Sequence, residues 1–578
     1  MPVYYNDGLD DPVQYDRQAS FVGGQISNFR ENLLNESQAE LLKDLDAAKN
    51  GVLKTRHGFH RFADLIAAVN AMSEPPTRQP TNTQGLAYFD TDAKESLVAF
   101  VNSHIYAIAS GGTVATIGTG SANSTTARVD FCQVADKLFF ASHSGNDKIG
   151  QVTWSGSAWV VKEAGGTSPT NSKFLTNNGY RIFAYQPSDD QIYVSDILPN
   201  VTTTGTTDIF NTATNLPFKV GLGDPVTGMA SWVGFNLVVF CKNSCYVVDT
   251  NPVVAGSGAT TTTTANFTIR SISQSVGCLS HGSIAQVGED LFFLSRSGVR
   301  SIRRTMEENM IASDVGVISY PVQDVIDQIN WAQAQVATAT FWNSRYILSV
   351  PTGSSLVNDT TLVFNTNTNA WMGVWRGTVT VDGTTGLPTS TINPVDYAVT
   401  QFTGGKPFLI SLDKVGNPLQ FKDYVEDINL VDTDFQDKPV TTFIDTGWEA
   451  TTRAFTFGEQ MTSKDVEFAE FEFDRSNAIL DIGVILDGSE TTNLADELVT
   501  GTGVFRLGTP PTVAHPTIPF TLGSPLLRRF NYSMTQYSEF RELQFNFKQS
   551  SQAGTDSKYL ALRSIHAGGF LNTVGVEA

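Results

Sequence analysis

Short apolar runs alternate with polar, glycine-bearing turns through most of the chain, a period that predicts strands rather than helices. Seven segments carry the pattern most clearly. They are ESLVAFVNSHIYAIA from residue 95, ADKLFFASHSGNDKIGQV from 135, NGYRIFAYQPSDDQIYVSD from 178, GFNLVVFCKNSCYVVD from 234, GEDLFFLSRSGVRSIRR from 288, NSRYILSVPTGSSLVNDTTLVFN from 343 and GKPFLISLDKVGNPLQFKD from 405. Each is an apolar strand, a turn and a second strand, and successive starts lie 40 to 62 residues apart. A lone four-stranded blade cannot bury both of its faces, whereas blades packed radially can. The expectation is a mainly β protein whose body, over residues 85–425, is a β-propeller of about 6–7 irregular blades. A run of β-sandwiches is the competing architecture for the same alternation. QVTWSGSAWVV (151–161) and LVFNTNTNAWMGVW (362–375) supply outer strands whose tryptophans are expected to wedge between blades.

The flanks read differently. Residues 1–84 form an N-terminal arm and helical docking segment, polar and broken over 1–30. Ser37 with Glu40 has capping-box spacing, and Leu41, Leu42 and Leu45 share one side, which predicts a short helix over SQAELLKDLDAAK (37–49). ADLIAAVNAM (63–72) predicts a second, and the PPTRQP break near 75–84 marks a domain boundary. After an acidic linker, DYVEDINLVDTDFQDKP, the longer strands of KDVEFAEFEFDRSNAILDIGVILDG and SEFRELQFNFKQSSQ predict a C-terminal β-sandwich over 426–578.

Composition narrows the function classes. With 58 acidic against 38 basic residues the net charge is −20, which opposes general affinity for nucleic acid. DNA that meets such a protein should pass rather than stick. Four cysteines, Cys132, Cys241, Cys245 and Cys278, are too few to staple 578 residues, and they lie in or beside apolar strands, which fits synthesis in a reducing cytoplasm. The N-terminus lacks a basic start and an apolar core segment, and no apolar run reaches the ~18 residues of a membrane span, so neither secretion by that route nor membrane insertion is expected.

Catalytic signatures are missing. There is no Gly-x-Ser-x-Gly elbow, no phosphate-binding Gly-x-x-x-x-Gly-Lys-[Ser/Thr] loop, no His-Glu-x-x-His and no Cys-x-x-Cys. Cys241 and Cys245 fall on opposite arms of a hairpin, and His57 and His60 have no third ligand at helpful spacing, so no metal or other cofactor is expected. DGSE (487–490) and YNDGLDD (5–11) lack the alternating ligands of a calcium loop. Propeller glycosidases need a carboxylate pair, but Asp189-Asp190 and Glu289-Asp290 sit where hairpins must bend and read as turn residues. The sialidase repeat Ser-x-Asp-x-Gly-x-x-Trp is absent. A non-enzymatic protein is therefore expected.

One segment carries a resemblance. LLNESQAELLKDLDAAKNGVLKTRHGFHRF (33–62) resembles the opening of propeller-bearing phage tail proteins, where Gly-x-Leu-x-x-Arg-x-Gly-Phe precedes the first blade; Gly51, Leu53, Arg56, Gly58 and Phe59 match in order. FLISLDKVGNPLQFKD (408–423) looks like the last blade of that group, and FIDTGWEATTRAFTFGEQMTSKDVEFAEFEF (443–473) is similar to its transition into the sandwich. The intervening blades match only in style. The nearest group in kind is the tail nozzle, or tail tubular protein B, class of short-tailed bacteriophages. That resemblance implies a structural virion protein of the tail: a homo-oligomeric ring, usually of six copies, beneath the tail adaptor, with DNA only in transit through the lumen and fibres or spikes attached outside; the net charge of −20 adds the expectation of an acidic lumen that lets DNA slide. The chain is shorter than some members of the class, and no channel-gating tip is assigned. The motif positions also have purely structural readings: turns at Gly51 and Gly58, capping or local pairing by Arg56, and filling of the first blade's core by Phe59. Alternatives of other classes are a particle-borne glycan-depolymerising propeller and a monomeric glycan-binding module that uses Trp342 or Trp448 as stacking platforms.

Overall fold

The computed structural model describes residues 13–571 apart from 48–50, 72–81, 120–126, 143–146, 199–207, 211–216, 222, 251–266, 312–316, 378–379, 382–387, 390–391, 404, 423–436, 439–443, 445, 475, 477, 500–526 and 551–558. The PPTRQP break, YNDGLDD and nearly all of the acidic linker lie outside the described residues.

All seven hairpins form; six are centres of their own small antiparallel sheets, and that of blade 6 lies in a sheet that runs on beyond the propeller. Blade 1 comprises Thr83–Thr91, Lys94–Val101, His104–Ile108 and Val114–Thr119, and blade 2 comprises Val129–Val134, Lys137–Ser142, Gly150–Trp154 and Trp159–Glu163. Blade 3 is Lys173–Asn178, Arg181–Gln186 and Gln191–Val194; blade 4 is Val226–Trp232, Asn236–Cys241, Cys245–Asp249 and Thr268–Ser273. Blade 5 is Ala285–Val287, Asp290–Ser295 and Gly298–Ser301, and blade 6 is Thr338–Trp342, Arg345–Val350, Thr360–Asn365 and Ala370–Trp375. Blade 7 takes Pro394–Thr400, Phe408–Asp413 and Pro418–Phe421, and its fourth strand, Phe59–Arg61, comes from the far N-terminal side of the propeller. The first strands lie side by side in order, blades 4 and 5 meeting through the 3-10 turn His281–Ser283, and the first strand of blade 7 returns to that of blade 1, so the ring closes on itself.

The continuous apolar runs follow from this packing. In Asn236–Cys241, Leu237, Val239 and Cys241 enter the core shared with blade 3, while Val238 and Phe240 enter the core shared with blade 5. Phe139 and Ala141 face blade 3 while Leu138 and Phe140 face blade 1. A strand with apolar neighbours on both faces has no polar side to show, so alternation disappears exactly where burial is deepest. Trp159 meets Phe89 of blade 1 edge-on at 5.1 Å, the wedge expected of an outer-strand tryptophan.

The N-terminal segment departs from expectation. SQAELLKDLDAAK is not a helix: Gln38–Lys43 and Leu45–Ala47 are strands, parted by Asp44 at φ 53°. Gln38–Lys43 pairs with Glu449–Thr452, some 400 residues away, and Ala39 and Leu42 point into the core. Those distant partners override the helical spacing of Leu41, Leu42 and Leu45. Ser37 does not cap; its N–H and hydroxyl both donate to Asn35. The second helix does form, as Leu65–Ala71, with Asp64 accepting the Ala67 N–H at 3.1 Å. A 3-10 turn, Glu31–Leu33, is the other helical piece among the described N-terminal residues.

Beside the propeller two sheets face each other. One holds Gly24–Gln25, Gln38–Lys43, Glu449–Thr452, Leu543–Gln549, Ile479–Leu486 and Ser489–Val499; the other holds Leu45–Ala47, Leu53–Thr55, Ala561–Leu571, Lys464–Asp474, Leu527–Ser533 and Gln14–Gln18. Their shared core includes Phe471, which meets Phe545 at 5.1 Å and Phe547 at 5.5 Å, both edge-on. N-terminal and C-terminal strands are thus interleaved in this unit rather than segregated. The first sheet also continues into blade 6, where Lys43 pairs in parallel with Val374.

At that seam Gly373 adopts φ +112°, and a Cβ there would stand 2.3 Å from the Leu42 carbonyl oxygen. Gly373→Ala is expected to cost about 1–3 kcal/mol, from backbone strain and the displaced seam together. Equilibrium denaturation measures this; an unchanged midpoint would contradict the seam geometry.

Candidate functional site

Two places combine unusual chemistry with unusual position: the propeller axis, and the joint between the propeller and the two-sheet unit.

Hydrogen bonds near the axis tie every blade to the next. Gln84 Nε2 donates to Ala127 O at 2.8 Å between blades 1 and 2, and the Phe174 N–H of blade 3 donates to Asp130 Oδ2 of blade 2 at 2.9 Å. Asn178 Nδ2 reaches Asn236 O of blade 4 at 2.7 Å, and Thr227 Oγ1 reaches Cys278 O, on the way into blade 5, at 2.7 Å. Ser280 Oγ donates to Ala337 O at 2.7 Å, Asn358 Nδ2 of blade 6 to Pro394 O of blade 7 at 2.7 Å, and the Leu86 N–H of blade 1 to Asp396 Oδ2 of blade 7 at 2.9 Å. Asp130 and Asp396 are therefore latches between blades, each with an oxygen held by the backbone of its neighbour.

Between these latches lies Arg128. Its Nε is 3.9 Å from Asp130 Oδ1 and a terminal nitrogen is 3.7 Å from Asp396 Oδ1. Burial pushes the Asp396 carboxyl up, Arg128 and the Leu86 and Tyr397 N–H groups pull it back, and Asp130 adds to the rise. His281 stands opposite, its Nε2 3.9 Å from Asp130 and its ring 5.0 Å from Phe174. Asp130 and Asp396 thus both spend oxygens on backbone N–H groups, which is the work of latches rather than of a carboxylate pair flanking a scissile bond.

At the joint, Arg56 is buried completely between two buried carboxylates. Its Nε meets Asp44 Oδ1 at 2.6 Å, and its two terminal nitrogens grip Asp437 at 2.9 and 2.6 Å. Asp437 also accepts the Phe59 N–H at 3.0 Å, and Asp44 accepts the N–H groups of Arg376 and Gly377. Burial alone would lower the Arg56 pKa, but the Asp437 and Asp44 carboxylates outweigh it and hold the guanidinium firmly protonated. For Asp44 burial dominates and pushes the carboxyl up, with Arg56 and the Gly377 N–H opposing.

The five motif positions all fall here. Gly51 sits at φ +81° with its carbonyl accepting the Phe21 N–H at 2.9 Å, and Leu53 is fully buried in the two-sheet core. The Gly58 carbonyl accepts the Lys422 N–H at 3.1 Å, just past blade 7. Phe59 packs on Phe421 at 4.8 Å and meets Trp375 at 6.5 Å, while its strand closes blade 7. Nothing in the local sequence signals that Asp44 and Asp437 complete this node; they lie 12 and 381 residues from Arg56.

Other residues singled out by sequence take structural places. All four cysteines are buried free thiols, and burial pushes Cys132, Cys241 and Cys245 up to about 12 and Cys278 up to about 11, which makes them unreactive. Among the described residues no three His, Cys, Asp or Glu side chains gather as metal ligands. Asp189 and Asp190 lie in the turn of blade 3 and accept from Tyr193 and Tyr185 at 2.7 and 3.0 Å. Asp290 accepts the Arg303 N–H, and Glu289 pairs with Arg303 at 2.6 Å. Trp342 and Trp448 are buried, at 7% and 1% exposure, which corrects the reading of either as an exposed stacking platform. Trp342 packs edge-on against Phe421, and Trp448 belongs to the same core.

Blade 7 also contains a titrating turn. Burial pushes the Asp413 carboxyl up to about 6, although it accepts the Asn417 N–H at 2.6 Å. The unfolded chain binds this proton only near pH ~3.9, so the folded state takes it up first on acidification. This group's contribution to stability is thus greatest below pH ~4 and declines as pH rises through about 6. Relative to Asp413→Asn, the unaltered chain should lose roughly 2 kcal/mol between pH ~4 and ~7. Denaturation of both proteins across that range measures the gap; a constant gap would contradict the burial.

No protein-family model and no curated protein matches the chain. Solved structures do. Saccharomyces cerevisiae Sqt1 is similar at 8% identity and TM-score 0.38 over 63% of this chain and 98% of that one. The Neurospora crassa Pan2 WD40 domain is similar at 9% identity and TM-score 0.35, over 64% and 96% respectively. The extracellular domain of the putative one-component system BT4673 from B. thetaiotaomicron gives 8% identity and TM-score 0.37 over 63% of this chain and 40% of that one. The seven-bladed architecture rests on the chain's own sheets and their ring order.

Proposed function

We propose that the protein is a structural component of a phage tail, a nozzle-like hub that assembles as a six-fold ring below the tail adaptor and carries fibres or spikes. The observation that supports this reading most is the joint: the five residues that resemble the tail nozzle motif, Gly51, Leu53, Arg56, Gly58 and Phe59, cluster where the propeller is closed and fastened to the two-sheet unit. A protein that bears load across a particle needs its domains locked, and a fully paired, buried Arg56 between a blade-closing strand and a second core does that. The axial carboxylates are occupied as latches, which favours binding and shape over turnover. DNA would pass through a lumen between copies, where an acidic surface keeps phosphate from sticking. The reading places the chain in the virion after synthesis in the host cytoplasm. An antibody against the chain should label the tail end of purified particles. Particles that lack the chain, or purified chain that releases sugars from host polysaccharide, would overturn the reading.

A further inference from the structure

Along the axis two connected chambers of about 330 and 620 Å³ open, and Arg128, Asp130, His281 and Gly282 line both, so they form the waist. The larger chamber is lined by residues of six blades and by Leu279–Gly282, which lead into blade 5, and so forms one mouth of the ring. Its size falls in the range of small-molecule sites, ~300–1,000 Å³. Three of its lining residues are cations, Arg128, Lys173 and Lys414.

The Arg128 guanidinium lies flat against Gly282, where a Cβ would come within 2.3 Å of a terminal nitrogen, so the glycine makes its seat. Its nearest carboxylate oxygens, at 3.7 and 3.9 Å, are beyond hydrogen-bond reach, and none of its N–H donors has a hydrogen-bond acceptor among the described residues. Both carboxylates spend oxygens on neighbouring backbone N–H groups instead. Lys173 and Lys414 have no ion-pair partner among the described residues. In a chain of net charge −20, self-repulsion does not explain cations gathered at one mouth. A planar donor fork without a hydrogen-bond acceptor, in a chamber that two ammonium groups also line, is an arrangement that recognises an oxyanion.

We propose that this axial mouth binds an oxyanion group, carboxylate or phosphate, carried by a compact ligand that enters from the Lys173 and Lys414 side and docks on Arg128. Phe174 and Tyr185, whose rings stack at 6.1 Å on the chamber wall, would pack against its apolar part.

Isothermal titration of the full chain with inorganic phosphate and, separately, with citrate tests this, against chloride at matched ionic strength. Saturable one-site binding of either probe is expected, and the stronger probe identifies the source of the oxyanion. Arg128→Gln should weaken it at least tenfold. Because Arg128 also neighbours two latches, the Lys173→Gln and Lys414→Gln double variant is the companion test: it should retain the melting temperature and weaken binding several-fold. No saturable binding of either probe at millimolar concentration, or equal binding by the folded double variant, would overturn the proposal.

Discussion

Arg56→Met should destabilise the protein by about 3–5 kcal/mol, the scale seen when one partner of a buried ion pair is removed. The loss is not merely that of a favourable contact. Asp44 and Asp437, both buried, would be left as uncompensated carboxylates, and one or both would have to take up a proton to stay inside. The variant should therefore be rescued partly at low pH, where that proton is available, and by more than the unaltered chain, in which Arg56 opposes the rise of the Asp44 carboxyl. Arg56→Lys should recover little, because an ammonium cannot hold Asp44 and both oxygens of Asp437 at once. Chemical denaturation at pH ~5 and ~7.5 measures both effects; a loss below about 1 kcal/mol with no pH dependence would show that the node is not a fastening.

The second large effect is expected at Phe59. Truncating a buried phenylalanine to alanine typically costs about 3–5 kcal/mol through lost burial and an unfilled cavity. Phe59 is 1% exposed and sits among Phe421, Trp375 and the Arg56 guanidinium, which lies 5.9 Å from its ring centre. It also belongs to the strand that gives blade 7 its fourth member, so the cavity opens where the ring is sealed. Phe59→Ala should consequently raise hydrogen exchange first in Pro418–Phe421 and Phe408–Asp413, before blades 2 to 4 respond. Uniform loosening of all blades, or no loosening, would argue against closure by this strand.

The propeller was legible because its strands are buried on both faces: runs such as LVVFC and KLFFAS permit little else than an inner blade strand, and their spacing set the blade number close to seven. The tryptophan wedge at 159 was legible for another reason: a large aromatic on a half-exposed outer strand has only the neighbouring blade to pack against. The N-terminal segment was not. Leu41, Leu42 and Leu45 fit a helix as well as they fit strands, and the strands that decide between the two lie near the other end of the chain. The motif positions were found as a pattern, yet the physics that makes them a unit depends on Asp44 and Asp437, which no local spacing reveals. Arg128 had no signal of its own; it stands before an ordinary strand, and only ring closure brings Asp396 and Gly282 to it.

The central claim is assembly into a ring, and native mass spectrometry of the purified chain, alone and after mixing with extracts of assembling particles, tests it most directly. A defined ring of identical copies, or incorporation of the chain into particles, is the predicted result. A monomer at every concentration that never joins particles would contradict it.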